Sequence, residues 1–150
     1  MTGTEFYSDF ERSSENSVFI SRGSASARIT LKIDGKRLYV RVAGEPRGHD
    51  LTQCFREGLD KGLIRPSMRT LVDLTRFITG AVDWSAIFAL RTLAPWGKDE
   101  GESRVAYVVR TKTFRPLLKI ARVLFFRSHH RAFDNHADAI KWLEQVEMTE

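Results

Sequence analysis

Three groups of side chains in this chain are of types that do chemistry. The first is cationic and hydroxylic: Arg47 with His49, Thr75 with Arg76, and Arg110, Thr111, Lys112 and Arg115. Each cluster follows an apolar run of strand character and precedes a segment with helical periodicity. Ligands of open α/β sheets sit beyond the carboxyl ends of the strands. Cations there, beside the free N–H groups of a helix start, can hold a phosphate or carboxylate. A solvated basic rim would have the same composition. The second group is aromatic: Trp84 and Phe88 fall together on a helical wheel near Arg91, away from the stripe Ile87, Leu90 and Ala94. Aromatics on a second face mark a ligand or partner surface, unless a neighbouring element covers them. The third group is His129, His130 and His136 with Asp134 and Asp138. It meets no recognised ligand spacing, and Asp134 or Asn135 is better placed to cap a helix, so no metal site is expected.

Other chemistry finds no purchase in the sequence. There is no Gly-rich phosphate loop, no serine elbow and no paired-cysteine motif. The one cysteine, Cys54, lies on the apolar stripe of a helix and reads as a small buried hydrophobe. No nucleophile–base pair can be nominated, so no enzyme activity and no cofactor are expected. Nucleic-acid binding would rest on charge alone, without a recognisable module.

The chain has 150 residues and a formal charge of +5. Residues 1–16 carry four acids against one arginine, a net of −3, and the remainder carries 23 basic against 15 acidic residues, a net of +8. The acidic, Ser-rich start has no periodicity and is expected to be a mobile tail, leaving residues 17–150 as one domain. No charged start leads into an apolar run and no apolar stretch reaches bilayer length, so a soluble, cytoplasmic protein without a transmembrane segment is expected.

The elements that must position these residues follow from periodicity. Ser17 to Arg22 is a short strand or an extended arm. ARITLKID and RLYVRVAG alternate apolar and polar residues around Asp34-Gly35, which predicts an antiparallel hairpin. A helix from about Arg47 or His49 to Lys61 carries the stripe Leu51, Cys54, Phe55, Gly58 and Leu59, with Gly62 as its stop. Thr70 to Leu74 is a buried strand, then a turn-rich segment from Thr75, then a helix capped by Asp83. Arg104 to Val109 is another strand. A third helix follows from about Thr113 to Phe126, with Pro116 in its first turn and Leu117, Ile120, Ala121 and Leu124 as its stripe, widened by Leu118 and Phe125. A short strand, His130 to Phe133, leads to a last helix with Ala139, Ile140, Leu143 and Val146 on one side and Trp142 beside them. The order β-β-α-β-α-β-α-β-α predicts an α/β fold whose sheet is mostly parallel with one antiparallel edge strand.

That order, with VDLTRF (72–77) after the third main strand and HRAFDNHADAIKWLEQ (130–145) closing the chain, resembles the SpoIIAA-like branch of the STAS family over roughly residues 28–146. The resemblance implies a single-domain STAS-like fold, a non-enzymatic role and a bacterial setting. Some STAS domains are anti-sigma-factor antagonists, switched by phosphorylation of a Ser directly after an Asp at a helix start. Here Asp83 is followed by Trp84 and then by Ser85, which makes Ser85 the candidate. The branch is also similar to CRAL-TRIO lipid-binding domains, which implies a hydrophobic ligand under mobile helices. The combined expectation is a domain binding a small amphipathic or anionic, lipid-like molecule. Its apolar part would lie on Trp84, Phe88 and Phe125, and its head group near Arg76, Arg110 and Lys112. The alternative is a regulatory protein-interaction module, antagonist-like or homodimeric, using the same helix face.

Overall fold

The computed structural model describes residues 17–35, 37–65, 68–77, 104–110, 119, 122 and 129–145. Six strands and two helices are described: β1 (Ser17–Gly23), β2 (Arg28–Asp34), β3 (Arg37–Gly44), α1 (Gly48–Asp60), β4 (Arg69–Phe77), β5 (Arg104–Val108), β6 (His129–Phe133) and α2 (His136–Leu143). The strands form one sheet in chain order. β1–β2 and β2–β3 are antiparallel, while β3–β4, β4–β5 and β5–β6 are parallel. The expected sheet had a single antiparallel edge strand. The real one is mixed, because Ser17–Gly23 is a full strand and takes the edge outside the hairpin. The segments predicted as helices over 83–96 and 113–126 lie outside the described residues, apart from Lys119 and Arg122, which are helical. Residues 1–16 lie outside them too.

The hairpin forms where predicted. Gly35 supplies the positive φ of 60° that the turn requires, and β3 alternates half-buried and buried residues along its whole length. Its even-numbered residues Leu38, Val40 and Val42 join Ile29, Leu31, Ile33, Val72, Leu74 and Val105 in one core, sealed by Cys54 and Phe55 of α1. α1 ends as Gly62 predicts. The Gly62 N–H bonds to Leu59 O at 3.0 Å and the Leu63 N–H to Gly58 O at 2.9 Å, with Gly62 at φ 71°, so the orphan carbonyls of the last turn are met by a Schellman motif.

The opposite face holds a smaller core, in which Leu71, Ala106 and Val108 pack against Ala139, Trp142 and Leu143 of α2. Asn135 caps this helix, its side chain accepting the Asp138 N–H at 2.9 Å. The other end of α2 is held by arginines. Arg37 and Arg69 are in register across β3 and β4, and Arg104 continues the row on β5, one place before the paired Thr70 and Val105. Arg69 donates to the carbonyls of Leu143 and Gln145, and the buried Arg104 donates to those of Trp142 and Gln145. Arg37 pairs with Glu144 at 3.6 Å. A positive row thus meets the negative end of the helix dipole and satisfies carbonyls that would otherwise be stranded.

Candidate functional site

The carboxyl end of β4 departs from regular strand geometry. Arg41 pairs with Asp73, but Ala43 pairs with Arg76, so β4 carries one extra residue across Leu74 and Thr75. β4 continues through this β-bulge to Phe77, where the sequence predicted a turn from Thr75. In an unbroken strand, Arg76 would follow Val72 and Leu74 into the α1 core and Phe77 would face away from it. The extra residue exchanges them. Phe77 packs against the α1 core and Arg76 is exposed.

Asp73 holds the bulge. It is 1% exposed, and its Oδ1 accepts both the Thr75 N–H at 2.9 Å and the Thr75 hydroxyl at 2.6 Å. A carboxylate accepting two donors from a residue two places on is an Asx-type turn, reinforced by charge. Arg110, just beyond β5, turns its guanidinium to the same place, with Nη1 donating to Thr75 O at 3.4 Å. Of the predicted head-group residues, Arg110 therefore reaches the backbone of the residue before Arg76, which is itself exposed. The other candidates, Trp84, Phe88, Lys112 and Phe125, lie outside the described residues, as do Ser85, Thr111 and Arg115. Arg47 and His49 sit at the start of α1. Arg47 is engaged with Asp50 at 3.6 Å, and His49 is exposed.

The remaining polar candidates serve the fold. The Tyr107 hydroxyl and His130 Nδ1 are 2.9 Å apart, with their rings stacked at 5.8 Å, and burial pushes the Tyr107 hydroxyl well above its ordinary range. Arg122 donates from Nε to His130 O at 3.2 Å. Asp134 and Asp138 both accept from the Asn135 amide, at 2.8 and 3.0 Å. Among the described residues no three His, Cys, Asp or Glu side chains are grouped to hold a metal. Cys54 is fully buried, and desolvation pushes its thiol up to about 11, which keeps it protonated and inert at neutral pH. Glu57 is held below the usual carboxylate range, chiefly by its bond to Lys61.

The bulge and the arginine row are the features that sequence reasoning missed. The signal for the first was present: Val72, Leu74 and Arg76 in strict alternation would place a guanidinium in the core.

The family model described as SpoIIAA-like matches residues 37–144. The chain belongs to the SpoIIAA-like family. The matched region runs from the start of β3 through α2, so it contains the bulge, both arginines and the arginine row, while β1 and β2 precede it. Among solved structures, the chain is similar to an uncharacterized protein of the DUF3478 family from Shewanella loihica PV-4, with a SpoIIAA-like fold. The two share 18% identity at a TM-score of 0.54, over 88% of this chain and 98% of that one. At that identity the likeness establishes the fold. No curated protein matches the chain in sequence. SpoIIAA-like domains of the STAS type are generally non-enzymatic. Among the described residues, no helix is long and apolar enough to cross a membrane.

Proposed function

We propose that this SpoIIAA-like domain is a non-catalytic module that binds a small anionic amphiphile at the carboxyl ends of β4 and β5. One observation carries the reading: the Asp73-held bulge turns Arg76 out of the core, and the same bulge offers the Thr75 carbonyl on which Arg110 rests. A bulge at a sheet's rim commonly re-aims a side chain for use. An exposed Arg76 beside an Arg110 that reaches Thr75 would favour a phosphate or carboxylate, which accepts planar guanidinium donors in pairs. Trp84, Phe88 and Phe125 supply the apolar part of the reading, and Lys112 a third cation.

Binding to the folded state raises stability by mass action, about 2.7 kcal/mol at one hundred times the dissociation constant. A long-chain fatty acid or acyl phosphate should therefore raise the melting temperature, and the neutral alcohol of equal chain length should not. In the Arg76→Ser/Arg110→Ser variant the rise should vanish while the unliganded melting temperature holds, since Arg76 and Arg110 are both exposed. An equal rise in wild type and variant would remove the site from these residues.

A further inference from the structure

The two edges of the sheet are built differently. Among the described residues β6 hydrogen-bonds only to β5, and it is guarded by charge: Arg131 is exposed, its guanidinium 5.3 Å from the Phe133 ring. Exposed cations on an edge discourage pairing with another chain. β1, bonded only to β2 among the described residues, has none of the usual guards. Its seven residues run in unbroken register against Arg28–Asp34, without bulge, proline or lysine. Val18 and Phe19, 37% and 39% exposed, are the exposed large hydrophobics of the described chain. As neighbours in a strand they face opposite sides of the sheet. The single charge of the strand, Arg22, is engaged by Glu57 of α1 at 3.4 Å.

We propose that β1 is a homotypic interface, pairing antiparallel with β1 of a second copy about a two-fold axis through Ile20. The strand is self-complementary in that register. Val18 lies opposite Arg22 of the second copy, so valine methyls meet the arginine methylenes and no like charges oppose each other. Phe19 lies opposite the small Ser21, and Ser17 opposite Gly23. The six-stranded sheet then continues into a second, and the contact closes on itself, as an isologous interface does. Pairing of β1 with β6 of another copy would be heterologous and open-ended, and would set β1 against the charged edge. β1 precedes the region 37–144 that the family model matches.

The register makes a signed forecast. In Val18→Lys each copy sets a lysine against Arg22 of the other, twice per dimer. In Val18→Glu each copy sets a carboxylate there instead. Sedimentation of the full chain should show a concentration-dependent dimer. Val18→Lys should weaken it about 10-fold, roughly a threefold loss at each of two sites, and Val18→Glu should leave it equal or tighter. Val18 is exposed, so both variants should keep a wild-type circular dichroism spectrum. A wild-type monomer up to ~0.5 mM overturns the proposal, since a dimer weaker than that has no useful population. That result would also be read if residues 1–16 or another protein occupied the edge. A dimer indifferent to Val18→Lys, or weakened equally by both variants, overturns it as well.

Discussion

Replacing Asp73 by alanine tests the bulge that the proposed site depends on. The carboxylate is 1% exposed and accepts two donors from Thr75. Hydrogen bonds to a charged group contribute about 1.5–3 kcal/mol each, and an orphaned buried donor costs its own desolvation. Against this, alanine removes a buried charge whose desolvation the native state already bears. The Thr75 hydroxyl can rotate to another acceptor, whereas its backbone N–H cannot. The net loss for Asp73→Ala should be about 2–4 kcal/mol by urea unfolding at 25 °C. Asp73→Asn keeps the acceptor and loses the charge, and should cost about half as much. Hydrogen exchange gives the local readout: the Thr75 amide should lose protection in Asp73→Ala beyond the global change, while amides of β2 follow stability alone. Thermal shift with the anionic amphiphile should fall in parallel, because Arg76 is no longer held out of the core. The reasoning is refuted if Asp73→Ala costs less than about 1 kcal/mol, or if Asp73→Asn costs as much as Asp73→Ala.

Other expectations follow from separate features. Arg104→Met removes the buried donor to Trp142 O and Gln145 O, and should cost about 2–4 kcal/mol in chemical denaturation, with amides of α2 exchanging first. Combined with Arg69→Met its cost should be non-additive, because both arginines serve Gln145 O, and a double-mutant cycle reads that coupling. Gly44→Ala should cost about 2–4 kcal/mol in the same assay: Gly44 has φ +67°, and a Cβ there would meet Ser26 O at 2.0 Å. Stability should fall at alkaline pH. The Cys54 thiol is raised from 9.0 to about 11, so above pH 9 the unfolded chain holds fewer protons than the native one and the stability slope is negative up to about pH 11. Tyr107, also raised by burial, extends the decline. Cys54→Ala should flatten the part between pH 9 and 11, which a pH series of melting temperatures would show.

Local signals in the sequence were read well because their causes are local. Asp34-Gly35 announced a hairpin, Gly62 a helix stop and Asp134 or Asn135 a cap, a role Asn135 takes, and each acts within a few residues of itself. What escaped acts at a distance. Arg69 and Arg104 bond to carbonyls 38 to 76 positions along the chain, and no periodicity encodes such a pairing. β1 left its pattern ambiguous because Ile20 is its only buried residue, so alternation had nothing to repeat. The bulge was hidden differently: a single extra residue is invisible to a period-two template except as an anomaly, here an arginine where a core residue was due. Of the candidate site, Arg76 and Arg110 could be named from strand ends alone. The contact of Arg110 with Thr75 depends on the parallel pairing of β4 with β5, which is a property of the fold.

Native mass spectrometry of the protein, purified gently from its own cells and then offered a long-chain acyl phosphate, addresses the central claim most directly. The account predicts a small mass bound to the folded chain, lost on denaturation, acidic in character and absent from the Arg76→Ser/Arg110→Ser variant. A bare chain mass in both samples, or a bound mass that the variant retains, would contradict it.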